Sequence, residues 1–161
     1  EVERQDEKPV SASAFLSGNV FADSASIGGA FYSQSQLVFD AEKEAILDAA
    51  DKGGCVIIGR CADYVLREQS GVTSVFIYAD MNDRIRRLME TRKITRDEAI
   101  TLIKKNDKSR RNYYECYTGK RWGAGASYDV TLNSAELGLD TCVDLICSLY
   151  ERKQEGDAQA R

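Results

Sequence analysis

The apolar residues of this chain fall into two rhythms. Short apolar runs occupy residues 55–59 and 72–79, Tyr128-Asp129-Val130-Thr131-Leu132-Asn133 alternates apolar and polar residues, and between these stretches apolar positions return every three or four residues. Runs rich in β-branched and aromatic residues read as strands, and a run apolar at every position reads as a strand buried on both faces of a parallel sheet. The first run, Cys55-Val56-Ile57-Ile58-Gly59, follows Gly53-Gly54, which end a helix, and precedes Arg60, which opens a turn. The longer spacing predicts helices. Val38, Ala41, Ala45, Ile46 and Ala49 place one from Ser33 or Ser35 to about Lys52. A short helix is expected from Ala62 to Glu68, and another over 82–92 with Ile85, Leu88 and Met89 facing inward. Thr95-Arg96-Asp97-Glu98 fits a capping box that opens a long helix to about Tyr114, and Leu139, Cys142, Val143, Ile146 and Leu149 form a last amphipathic one.

Strands alternating with helices indicate an α/β fold, a parallel sheet flanked by helices. Three strands are few for this number of helices, so further strands are expected. Residues 1–34 are polar and hold no period, which predicts a loop-rich segment with one short helix near Ala14 and Leu16. The tail from Arg152 reads as polar and frayed. A single domain over residues 1–161 is expected, since this length suffices for one core.

Composition narrows the chemistry. There is no histidine, which excludes histidine metal sites and histidine general bases, and no metal site is expected. Five cysteines form no C-x-x-C pair, a usage that fits a reducing cytoplasm. No apolar run is long enough to cross a membrane. The net charge is −4, yet Arg84 to Arg121 holds 13 Lys/Arg against 5 Asp/Glu. Such asymmetry suits either an anionic ligand met by one segment or a solvated helical face.

The cations are organised. Arg60 ends a strand, and in an open α/β sheet ligands bind outside the carboxyl ends of strands. Arg84 and Arg87 lie one turn apart on one helix, and Lys104, Lys108 and Arg111 share a face of the next, with Arg110 adjacent. Arginine forks match phosphate oxygens in pairs, and phosphoryl transfer needs mainly positioning and charge neutralisation. The bland alternatives are a salt bridge at Arg60 and a solvated surface at Arg86. Tyr113, Tyr114, Tyr117 and Trp122 could stack RNA bases, but they fit better as packing at the base of the basic segment.

Several segments, in order, resemble the cytidylate kinase-like family. Cys55 to Leu66 is similar to its strand, GRCADY and short-helix pattern, and Asp6-Glu7-Lys8-Pro9 to its early DEKP segment. Asp83-Arg84-Ile85-Arg86-Arg87 looks like its E-R-A-x-R segment. Asn106 to Tyr114 and Tyr117-Thr118-Gly119-Lys120-Arg121-Trp122-Gly123 resemble its D-K-x-R-x-N-Y-Y and Y-T-G-x-x-W-G signatures. The resemblance implies a P-loop NTPase-type three-layer αβα fold with a helical lid at about 89–111. It also implies phosphate transfer from ATP with Mg²⁺ to a nucleoside monophosphate, cytidylate foremost. By position, Arg60 would hold the acceptor phosphate, while Arg84, Arg87 and Arg110 would grip the transferred phosphoryl group. Lys108 and Asp63 would help bind substrate. Asp63 either serves the ligand or caps the following helix; the aspartate that cytidylate kinases carry directly after Gly-Arg is here Cys61. No G-x-x-x-x-G-K-[ST] loop is found, so the strand and phosphate loop that open such folds are expected to be missing from these residues, leaving them catalytically incomplete. A non-catalytic nucleotide-binding module is the competing expectation. Neither membrane nor nucleic acid is expected as a partner, and homo-oligomerisation is left open.

Overall fold

The computed structural model describes residues 28–159. The short helix expected near Ala14 and the DEKP segment lie outside them. Contacts group into two units, residues 1–40 and 41–161. Of the first, the described part is the opening of a long helix, α1 (Gly28–Lys52). It begins well before the expected cap at Ser33 or Ser35 and stops where expected, with Gly53 in the left-handed region at φ 70°.

The second unit continues with α2 (Ala62–Val65), β1 (Val75–Tyr78), α3 (Met81–Arg92), α4 (Arg96–Thr118), β2 (Val130–Asn133), α5 (Ser134–Leu137) and α6 (Leu139–Gln159). β1 and β2 pair in parallel, Val75 opposite Val130 and Tyr78 opposite Asn133. The chain is thus α/β with a small parallel sheet. Asp129 sets the register at one end: its Oδ2 accepts from the Ser74 amide at 2.7 Å and the Ser74 hydroxyl at 3.1 Å.

Local chemistry explains the helix limits. Asp80 caps α3, accepting from the amides of Asn82 and Asp83. Thr95 and Glu98 form the expected capping box of α4, and Gly119 ends that helix in the left-handed region. α4 runs one turn past the expected Tyr114. α6 also runs on, to Gln159, so the tail read as frayed is helical there. Lys153 explains part of this: its ammonium donates to the Val72 carbonyl and to Asp129.

The expectation of a buried strand at 55–59 fails. Residues 55–58 carry no strand assignment, and Val56 and Ile58 are 91% and 89% exposed. A strand exists only where a neighbour completes its ladder, and none does so among the described residues. Only Ile57 turns inward, joining Ile46, Ala62 and Leu66. β1 is also less buried than its run suggests, with Ile77 and Tyr78 about half exposed. A second cluster, Ile85, Ala99 and Ile103 with Leu88, Ile94 and Ile100, joins α3 to α4 as a helical hairpin.

Candidate functional site

The turn after residue 58 places the first candidate arginine. Gly59, Arg60 and Cys61 all have positive φ, at 73°, 56° and 57°. Two non-glycine residues in succession there cost about 1 kcal/mol or more each, and such strain persists only where surroundings fix it. The Arg60 side chain is held by Glu42, with Nη1 to Oε1 at 3.2 Å, and lies 5.7 Å from the Tyr113 ring centre. Tyr113 in turn donates its hydroxyl to the same Glu42, at 2.5 Å. Glu42, Ala45, Ile46, Ala49, Ile57 and Arg60 line an open cleft of about 230 Å³ whose floor is apolar.

Asp63 does not cap α2; that helix has no side-chain cap. Its Oδ2 instead accepts from the Tyr114 hydroxyl at 2.6 Å. Burial, then this bond, raises the Tyr114 phenol well above the usual tyrosine value, and burial, then Glu42, does the same for Tyr113. Both are therefore protonated donors at neutral pH. Burial, aided by Asp63 and Glu42, pushes the Cys61 thiol up to about 12, so it is no nucleophile.

Arg84 and Arg110 converge on one carboxylate. Arg84 grips Asp107 with both ends of its fork, at 2.7 and 2.8 Å, and Arg110 pairs with Asp107 from one turn further along α4. Burial opposes charge on Asp107, but the bonds and charges of Arg84, then Arg110, outweigh it and hold the group below the ordinary carboxylate value. Two cations against one anion leave the cluster positive.

α4 thus carries both clusters on successive turns: Asp107 and Arg110, then Tyr113 and Tyr114. The remaining sequence candidates are not drawn in. Arg87 and Lys108 are exposed, and their side-chain cations have no partner among the described residues. The aromatic candidates pack: Tyr113 against Tyr117 at 4.9 Å, and Trp122 against Phe76 at 5.6 Å. Sequence reasoning missed Glu42 and Asp107. Asp107 had a signal, its position three residues before Arg110 in the D-K-x-R segment; Glu42, in an ordinary amphipathic helix, had none.

The arrangement gathers cations around single carboxylates. Among the described residues no three acidic or thiol groups gather, and Glu42, Asp63 and Asp107 are each engaged by donors. No helix described is long and apolar enough to cross a membrane.

A crystal structure of an uncharacterized protein from Eubacterium ventriosum is similar, with a TM-score of 0.65 and 27% identity over 71% of this chain and 65% of that one. A uronate isomerase from Corynebacterium glutamicum is 28% identical over 108 residues, 67% of this chain. The chain spans about a fifth of that protein's length, 21%. The match that decides is to a family, extends over residues 1–136, and includes the Gly59-Arg60 turn, the hairpin arginines and the Trp122 loop: the chain belongs to the cytidylate kinase-like family.

Proposed function

We propose that this chain serves a kinase that moves the γ-phosphoryl group of ATP to a nucleoside monophosphate, cytidylate foremost. The observation that carries the reading is Arg60, set on a left-handed turn beside an apolar-floored cleft and steadied by Glu42 and Tyr113. An acceptor phosphate there would compete with Glu42 for the guanidinium. An oxygen of that phosphate then attacks the γ-phosphorus, the bond to the ADP oxygen breaks, and the products are ADP and a nucleoside diphosphate. Arg84, Arg87 and Arg110 neutralise the charge in transit, Lys108 adds a further cation, and Asp63 steadies the acceptor side through Tyr114. The α3–α4 hairpin is the lid, about 89–111, whose closure excludes water.

Mg²⁺ would arrive only as ATP's companion; the described residues offer it no cage of their own. The P-loop NTPase-type fold asks for another strand beside 55–58, which its exposed, unpaired state would accommodate. The reading places the protein in the cytoplasm, as a single domain.

The test is ADP formation from ATP when CMP or dCMP is added to the protein as encoded in its gene. Absence of turnover with every nucleoside monophosphate sinks the kinase reading. A second reading is a non-catalytic nucleotide-binding module, in which Arg60 and the apolar-floored cleft hold the nucleotide without transfer. It predicts saturable CMP binding without turnover.

A further inference from the structure

The loop at 119–125 has no part in the reaction above, yet its contacts are specific. The Arg110 guanidinium lies over the Trp122 ring, 5.1 Å from its centre. Trp122 meets Phe76 of β1 edge-on, with an interplanar angle of 83°, and Phe76 packs against Tyr128 at 5.0 Å. Gly123 makes this approach possible. It holds φ +75°, and a Cβ there would stand 3.0 Å from Phe76 Cζ. Any other residue would be strained in its backbone, and its Cβ would require the Phe76 ring to give by a few tenths of an ångström.

Arg110 is therefore restrained twice. Asp107 takes one end of its fork, and Trp122 covers a ring-side face. Its remaining N–H groups have no partner among the described residues. A guanidinium fixed on one edge and one face keeps a defined direction for the edge that is left, so less rotamer freedom is lost when an anion binds.

We infer that Trp122, seated against Phe76 through Gly123, is a positioning residue that aims Arg110 at the phosphoryl group. The inference rests on the kinase-type reading and gives the Y-T-G-x-x-W-G loop its role within it. Anion binding at Arg110 and the environment of the indole then change together.

The chain has one tryptophan, so its fluorescence reports this site alone. Pyrophosphate and ATP are titrated into the protein, with emission and calorimetry read in parallel. Wild type should bind with a saturable emission change, and Arg110→Ala should lose both. By calorimetry, Trp122→Leu should bind pyrophosphate about five- to tenfold more weakly, and Trp122→Phe, which keeps an aromatic face, within about threefold of wild type. Circular dichroism of each variant controls for folding. In turnover, Trp122→Leu should lower kcat and leave the CMP KM unchanged. Pyrophosphate binding that needs Arg110 but is indifferent to Trp122→Leu overturns the inference alone. Failure of wild type to bind either anion overturns it together with the kinase-type reading.

Discussion

Tyr114 donates its hydroxyl to Asp63 at 2.6 Å across 51 positions of sequence, tying the C-terminal part of α4 to the turn that presents Arg60. Tyr114 is buried, and Asp63 sits in the first turn of α2. The bond fixes the two elements that carry the candidate site against one another.

Removing that hydroxyl should therefore loosen the site and the fold together. Tyr114→Phe leaves a partly buried carboxylate short of a donor, and should cost about 1–3 kcal/mol in urea unfolding. The pH dependence has a definite sign. The folded-state value of Tyr114 is raised, by burial and then by Asp63, so its contribution is complete below the ordinary tyrosine value and fades as pH rises beyond it. Wild type should lose stability above about pH 10, and Tyr114→Phe should lose less over the same range.

Asp107 gives the opposite slope. Burial works against its charge, but Arg84 and Arg110 hold it below the usual carboxylate value, so its contribution exists above that value and is lost as pH falls through the depressed one. Asp107→Asn should be less stable than wild type at neutral pH, and the gap in urea midpoint should close below about pH 4. A gap that stays constant into acid would show that the carboxylate's charge is not what matters.

Arg60→Ala separates a ligand from a strut. The side chain is 43% exposed, so its ion pair with Glu42 is worth little in water. Unfolding should move by no more than about 0.5 kcal/mol, while CMP binding measured by calorimetry should weaken by about tenfold or more. Arg60→Lys should restore little, because an ammonium lacks the fork. A large loss of stability with unchanged CMP affinity would make Arg60 a structural ion pair.

Much of this site was legible because helices carry their own instructions. The Thr95–Glu98 box opened α4 where expected, and the spacing of Ile85 and Leu88 gave α3 its inward face, so Arg84 and Arg110 fell on the two helices of the hairpin. Glu42 was not legible, since its partners Arg60 and Tyr113 lie far away in sequence and only tertiary structure brings them together. The left-handed turn at Arg60 and Cys61 was hidden for a related reason: neither residue favours that conformation, so no local propensity announces it.

Residues 55–58 show the limit of reading burial from apolarity, and they supply a last test. An apolar run says that a segment suits a sheet interior, but burial needs a neighbour on each side. In residues 28–159 the neighbour is absent, and Val56 and Ile58 face water. Val56→Thr and Ile58→Thr should each change the urea stability of this 161-residue chain by less than about 0.5 kcal/mol, as exposed substitutions do. Ile57→Thr, which faces Ile46 and Leu66, should cost more, about 1–2 kcal/mol. If the protein as encoded in its gene pairs a further strand with this run, the same Val56 and Ile58 changes should become as costly there as Ile57→Thr. Equal, small effects in both proteins would mean that the run stays open and that its apolarity serves no sheet.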